Sequence, residues 1–139
     1  MSGAGKDNLT LAHQGLAASG FTAVQREHLL DLVRVYVGTM DEGHARVRTK
    51  EVAEHLDETY FYRIGETADS SAFYYRVHSP VVLVEYDAQS PLAYGTKDGG
   101  GPGGPGGTPT QQHIHTIVRT PNGGDYGVDL LKLHLATDH

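Results

Sequence analysis

From Thr22 onward the apolar positions fall into a helical period. Val24, His28, Leu29, Leu32, Val33, Tyr36 and Val37 recur three and four residues apart and so share one face. Thr22 followed three residues later by Gln25 has the form of a capping box, Phe21 can staple the first turn, and Gly38 supplies a stop. The spacing predicts a first helix between these signals. A second helix is expected from Thr49 to Tyr62, with Val52, Ala53, Leu56, Thr59 and Tyr60 along one face. Lys50, Glu51, Glu54, Asp57 and Glu58 would form its solvated side, and Gly65 would end it.

The period then changes to alternation. Phe73, Tyr75 and Val77 take one side of a strand while Tyr74, Arg76 and His78 take the other. Ser79-Pro80 punctuates, and the β-branched run Val81 to Tyr86 predicts an antiparallel neighbour. A third strand is expected from His113 to Arg119. Between them lies a Gly/Pro tract, residues 97–110, read as a flexible loop with a flap over a site as the alternative. Pro121-Asn122-Gly123-Gly124 has turn chemistry, and a last helix is expected from Asp125 to Ala136 on Leu130, Leu131, Leu133 and Leu135. The expected class is α+β: two N-terminal helices, a small antiparallel sheet and a C-terminal helix. Residues 1–20 read as a polar lead, and 21–139 as one domain without internal repeats.

Composition narrows the chemistry. The chain has 139 residues, enough for one cored domain, and its formal net charge is −6 with the basic residues scattered. No basic footprint for nucleic acid or an anionic membrane is present. Cysteine is absent, which excludes disulfides, thiolate metal sites and cysteine nucleophiles. Met1 to Thr10 lacks an apolar stretch, and no run reaches the ~20 residues of a membrane span. A cytoplasmic location is expected on that basis.

Nine histidines in a chain of this size direct attention to metal, proton-transfer or anion chemistry. His113 and His115 stand two apart on a predicted strand, so both project to one side and can occupy adjacent vertices of one metal. Glu85 shares a face with Val81 and Leu83, where a carboxylate needs a partner. With His78, these residues would make a site of three histidines and one carboxylate. Zinc, iron(II), manganese or copper would suit such donors. Simpler readings stand beside this one. His113 and His115 read equally as a solvent-facing stripe, Glu85 as the ion-pair partner of Arg76 or Arg119, and His78 as a turn cap or surface residue. His28 and His55 lie inside predicted helices, and His139 is terminal. Arg76 and Arg119 share faces with the histidines and would anchor a carboxylate or phosphate, with or without a metal. Ser70 and Ser71 lack a nucleophile-elbow setting, and the Gly tract lacks the Gly-Lys-Ser/Thr ending of a phosphate loop.

Cupins pair His-x-His with a glutamate a few residues on, but Thr116-Ile117-Val118-Arg119-Thr120 contains no acid. The chain instead resembles the family known as domain of unknown function 3500, from about Gly15 to His134. The stretches that carry the resemblance are Leu56-Asp57-Glu58-Thr59, Phe73 to Pro80, Val84-Glu85-Tyr86-Asp87, His113 to Arg119, and Asn122 to Gly127 leading into Asp129-Leu130-Leu131 and His134. Members are commonly much longer, so the resemblance implies the carboxy-terminal half only, and a homodimer to replace lost contacts. It implies no reaction.

The function expected from these residues is a metal-dependent enzyme acting on a small, acidic molecule. His113, His115 and His78 would be ligands, Glu85 a ligand or general base, Arg76 and Arg119 anchors, and Tyr126, with Asp125, the pocket edge. The alternatives are a non-catalytic ligand-binding or accessory domain, and a metal-free enzyme using a histidine as general acid–base.

Overall fold

A computed structural model describes residues 11–88, 110–121 and 130–137 of the chain. The first helix, α1 (Ala23–Val37), starts and stops at the expected signals. The Thr22 side chain accepts from the Gln25 N–H while the Gln25 side chain accepts from the Thr22 N–H at 2.9 Å, and the Gly38 N–H closes the last turn on the Arg34 carbonyl. Leu29, Leu30, Val33 and Val37 are its buried residues.

The second helix differs from expectation. It runs over Glu42–Glu54 (α2), starting seven residues before Thr49 and stopping eight before Tyr62. Asp41 is the reason for the early start, because its side chain accepts the Gly43 N–H at 2.9 Å and caps the first turn. A 3-10 turn at Leu56–Glu58 ends the helical stretch. Thr59 is fully buried, its hydroxyl donating to the His55 carbonyl at 2.9 Å. The following Tyr-Phe-Tyr-Arg-Ile run is aromatic and β-branched and enters the sheet as β2 (Tyr60–Gly65). Tyr60 and Tyr62 are thus strand residues.

A short strand, β1 (Leu16–Ala17), forms inside the stretch read from sequence as a polar lead. Gly15 makes this approach possible. Its φ is +88°, and a Cβ there would sit 2.1 Å from the Phe61 carbonyl oxygen. The remaining strands are β3 (Phe73–His78), β4 (Leu83–Ala88) and β5 (Ile114–Arg119). β4 lies two residues beyond the expected Val81 to Tyr86, because Ser79 to Val82 form the turn, with the Ser79 N–H donating to the Val82 carbonyl at 2.9 Å. A shift of two preserves which side each residue faces.

Among the described residues the sheet has five strands in the order β1-β2-β3-β4-β5, each antiparallel to its neighbour. One face carries Tyr75, Val77 and Val84, which join Leu29, Val33 and Val37 of α1, Val52 of α2 and Leu56 in a single core. Full burial of each such aliphatic side chain contributes roughly 1.5–3 kcal/mol. Tyr36 of α1 and Tyr75 of β3 join their hydroxyls across this interface. The other face carries the polar residues. A last helix, α3 (Leu130–Thr137), overlaps the expected C-terminal one from Leu130 and ends one residue beyond Ala136, with Leu133 and Leu135 exposed. The α+β class is as expected. No helix of the described residues is long and apolar enough to cross a membrane. The Gly/Pro tract lies outside the described residues except for Thr110.

Candidate functional site

Register sets the polar face in rows. Residues paired across strands project to the same side, so Tyr60, His78, Leu83 and Arg119 form one row across β2 to β5. Tyr62, Arg76, Glu85 and Ile117 form the next, and Ile64, Tyr74, Asp87 and His115 the third. Five residues singled out from sequence, His78, Arg76, Glu85, His115 and Arg119, therefore share one face, and His113, in the bend before β5, brings its ring against that of His115. They are nevertheless spread along it. His78 and His115 stand two strands apart in rows at opposite ends.

The middle row holds a buried ion pair. Glu85 has no exposed surface and Arg76 is 8% exposed. One Glu85 carboxylate oxygen, Oε1, accepts from Arg76 Nε at 3.1 Å and from Nη2 at 2.9 Å, and Tyr74 donates its hydroxyl to the same oxygen. Arg76 also donates through Nη1 to Gln14 Oε1 at 3.2 Å. Burial, and then the carboxylate it donates to, push the Tyr74 phenol far above its ordinary pKa, so it stays a donor. A carboxylate taken out of water needs such partners. Of the partners open to Glu85 from sequence, the structure shows Arg76.

His78 lies one row away. It is 4% exposed, and its Nδ1 is buried with no hydrogen-bond partner among the described residues. The His13 ring meets it edge-on with centroids 4.6 Å apart, while stacking on Tyr60 at 4.5 Å. Burial first, then His13, then the Arg76 charge lower the His78 pKa, against an opposing pull from Glu85. The ring is accordingly a neutral imidazole at neutral pH. An orphaned buried nitrogen costs about 1–3 kcal/mol, and the proposed turn cap does not occupy it.

At the third row's edge His113 and His115 do converge. Their Nε2 atoms are 2.7 Å apart with the rings inclined by 70°. His113 is half-buried and His115 exposed. Among the described residues, no group of three or more His, Cys, Asp or Glu is placed to hold a metal ion. The expected set of His78, Glu85, His113 and His115 is therefore not assembled: register separates His78 from the pair, and Arg76 with Tyr74 engages Glu85. Tyr126 and Asp125 lie outside the described residues.

Sequence reasoning passed over Tyr74, His13, Gln14 and Tyr60. The alternation of β3 already placed Tyr74 beside Arg76, so that signal was present. His13 and Gln14 reach the face only because β1 pairs with β2, and nothing local to residues 11–14 announces it. The chain belongs to the family described as protein of unknown function (DUF3500), whose model matches residues 1–128. No curated protein and no solved structure matches the chain.

Proposed function

We propose that this member of the family is an enzyme acting on a small, acidic molecule at the polar face of its sheet, with His78 as the general acid–base group. The observation that carries the reading is the His78 Nδ1, buried, unpartnered and part of a ring kept neutral by its surroundings. A neutral imidazole can take a proton at once, and functional sites are where burial and neighbouring charges gather to shift titratable groups. Arg76, held by Glu85 and Gln14, keeps a positive charge near that ring without pairing to it. Arg119, in the same row as His78 across Leu83, supplies the charge that favours an acidic ligand. The metal-dependent form of this reading would rest on two donors among the described residues, whereas the acid–base form uses a group already in place.

Deuterium incorporation into a panel of small hydroxy- and keto-carboxylic acids, followed by proton NMR, tests the reading. The parent chain should exchange a proton of at least one of them, and His78→Ala should slow that exchange by about 10²–10⁴-fold. Saturable binding of an acid without turnover would favour the accessory-domain reading. Exchange that His78→Ala leaves unchanged would remove His78 from the chemistry.

A further inference from the structure

We infer that His113 and His115 form a bidentate chelate for a divalent transition-metal ion of tetragonal preference, copper(II) being the best fit, each ligating through Nε2. The inference is independent of the His78 reading, since the two sites lie at opposite ends of the sheet face. His115 is the second residue of β5 and His113 lies in the bend that immediately precedes it, so the two rings stand two residues apart where the strand begins. The two Nε2 atoms lie 2.7 Å apart, joined by a hydrogen bond when one ring carries its proton there, and the loss of that proton leaves two adjacent donors. Metal–imidazole bonds of roughly 2.0–2.1 Å put two nitrogens about 2.9 Å apart at a right angle, and about 3.3 Å apart at a tetrahedral one. The observed spacing needs only a small opening to reach the first value. Tetragonal copper(II) and nickel(II) present right angles, and copper(II) stands at the top of the affinity order for such donors.

The setting suits a cation. Asp87, the register partner of His115 on the same face, places a negative charge on the adjacent strand. Arg119 is four residues further along β5, on the order of 13 Å away. His115 is exposed, so water or an anionic ligand can fill the other coordination positions. No third protein donor is required, consistent with the placement of the described residues.

Titration calorimetry of the untagged chain with copper(II), in a weakly coordinating buffer, tests the chelate together with electron paramagnetic resonance of the bound ion. The expected result is one tight copper(II) per chain with two imidazole nitrogens in its spectrum, and weaker binding of zinc(II). His113→Ala and His115→Ala should each weaken the ion by about a hundredfold, the advantage that a second tethered donor confers. His44→Ala, removing an exposed histidine of α2, should leave it unchanged, as should His78→Ala. Both ligand variants alter a strand edge rather than the core, and circular dichroism checks their fold. Affinity undiminished in either ligand variant, or no stoichiometric copper(II) in the parent, overturns the inference and leaves an imidazole–imidazole hydrogen bond.

Discussion

Glu85 and Arg76 are each buried on the strength of the other. Removing one partner leaves an uncompensated charge away from water, so Arg76→Ala is expected to destabilise the fold by about 3–5 kcal/mol. Urea denaturation measures this, and Arg76→Ala combined with Glu85→Gln should recover part of the loss. An Arg76→Ala midpoint equal to the parent's would show that the pair is not buried as described. At this scale much was legible in the sequence. Alternation alone put Arg76 and His78 on one side of β3 and flagged Glu85 as an acid needing a partner. What alternation leaves open is register, which decides that Glu85 faces Arg76 and that His78 faces Leu83 rather than the His113–His115 pair.

Helix α1 and strand β1 show how local signals fix an element and how they fail. The Thr22–Gln25 box defines the α1 start, and Thr22→Ala should cost about 1 kcal/mol in a thermal or urea melt. Gly15→Ala should cost more, about 1–3 kcal/mol, because the position is left-handed and a methyl group would collide with the Phe61 carbonyl. Gly20→Ala is the control, since a Cβ there meets nothing within 4 Å. Equal melting temperatures for the two alanine variants would contradict the β1–β2 approach. The second helix was misplaced for a physical reason. Its body is polar and buries only Val52, so its apolar period is weak and the Asp41 cap is the real marker. Tyr60 and Tyr62 fit a helical count, yet pairing of the whole β2 strand with β3 outweighs that local fit. The short β1 has no pattern of its own and exists through its partner.

Across the whole molecule the sheet separates two interiors: an apolar one under α1 and α2, and a polar one holding His78, Arg76 and Glu85. The polar interior ties stability to pH. Folding lowers the His78 pKa, so between the folded and unfolded values the unfolded chain binds a proton that the folded chain refuses. Acid therefore favours unfolding. The His78 contribution is fully present above the ordinary histidine value of about 6.5 and is lost as pH falls toward the folded value. The parent's melting temperature should fall more steeply below that pH than that of His78→Asn. Superimposable pH profiles would contradict a buried, neutral His78.

That protonation state underlies the proposed function, and the nitrogen NMR spectrum of the His78 imidazole observes it directly in the untagged chain. The account predicts a neutral ring near neutral pH, with an Nδ1 resonance that moves when an acid the chain turns over is added. A protonated ring, or an Nδ1 resonance unmoved by an acid whose exchange the chain catalyses, would contradict it.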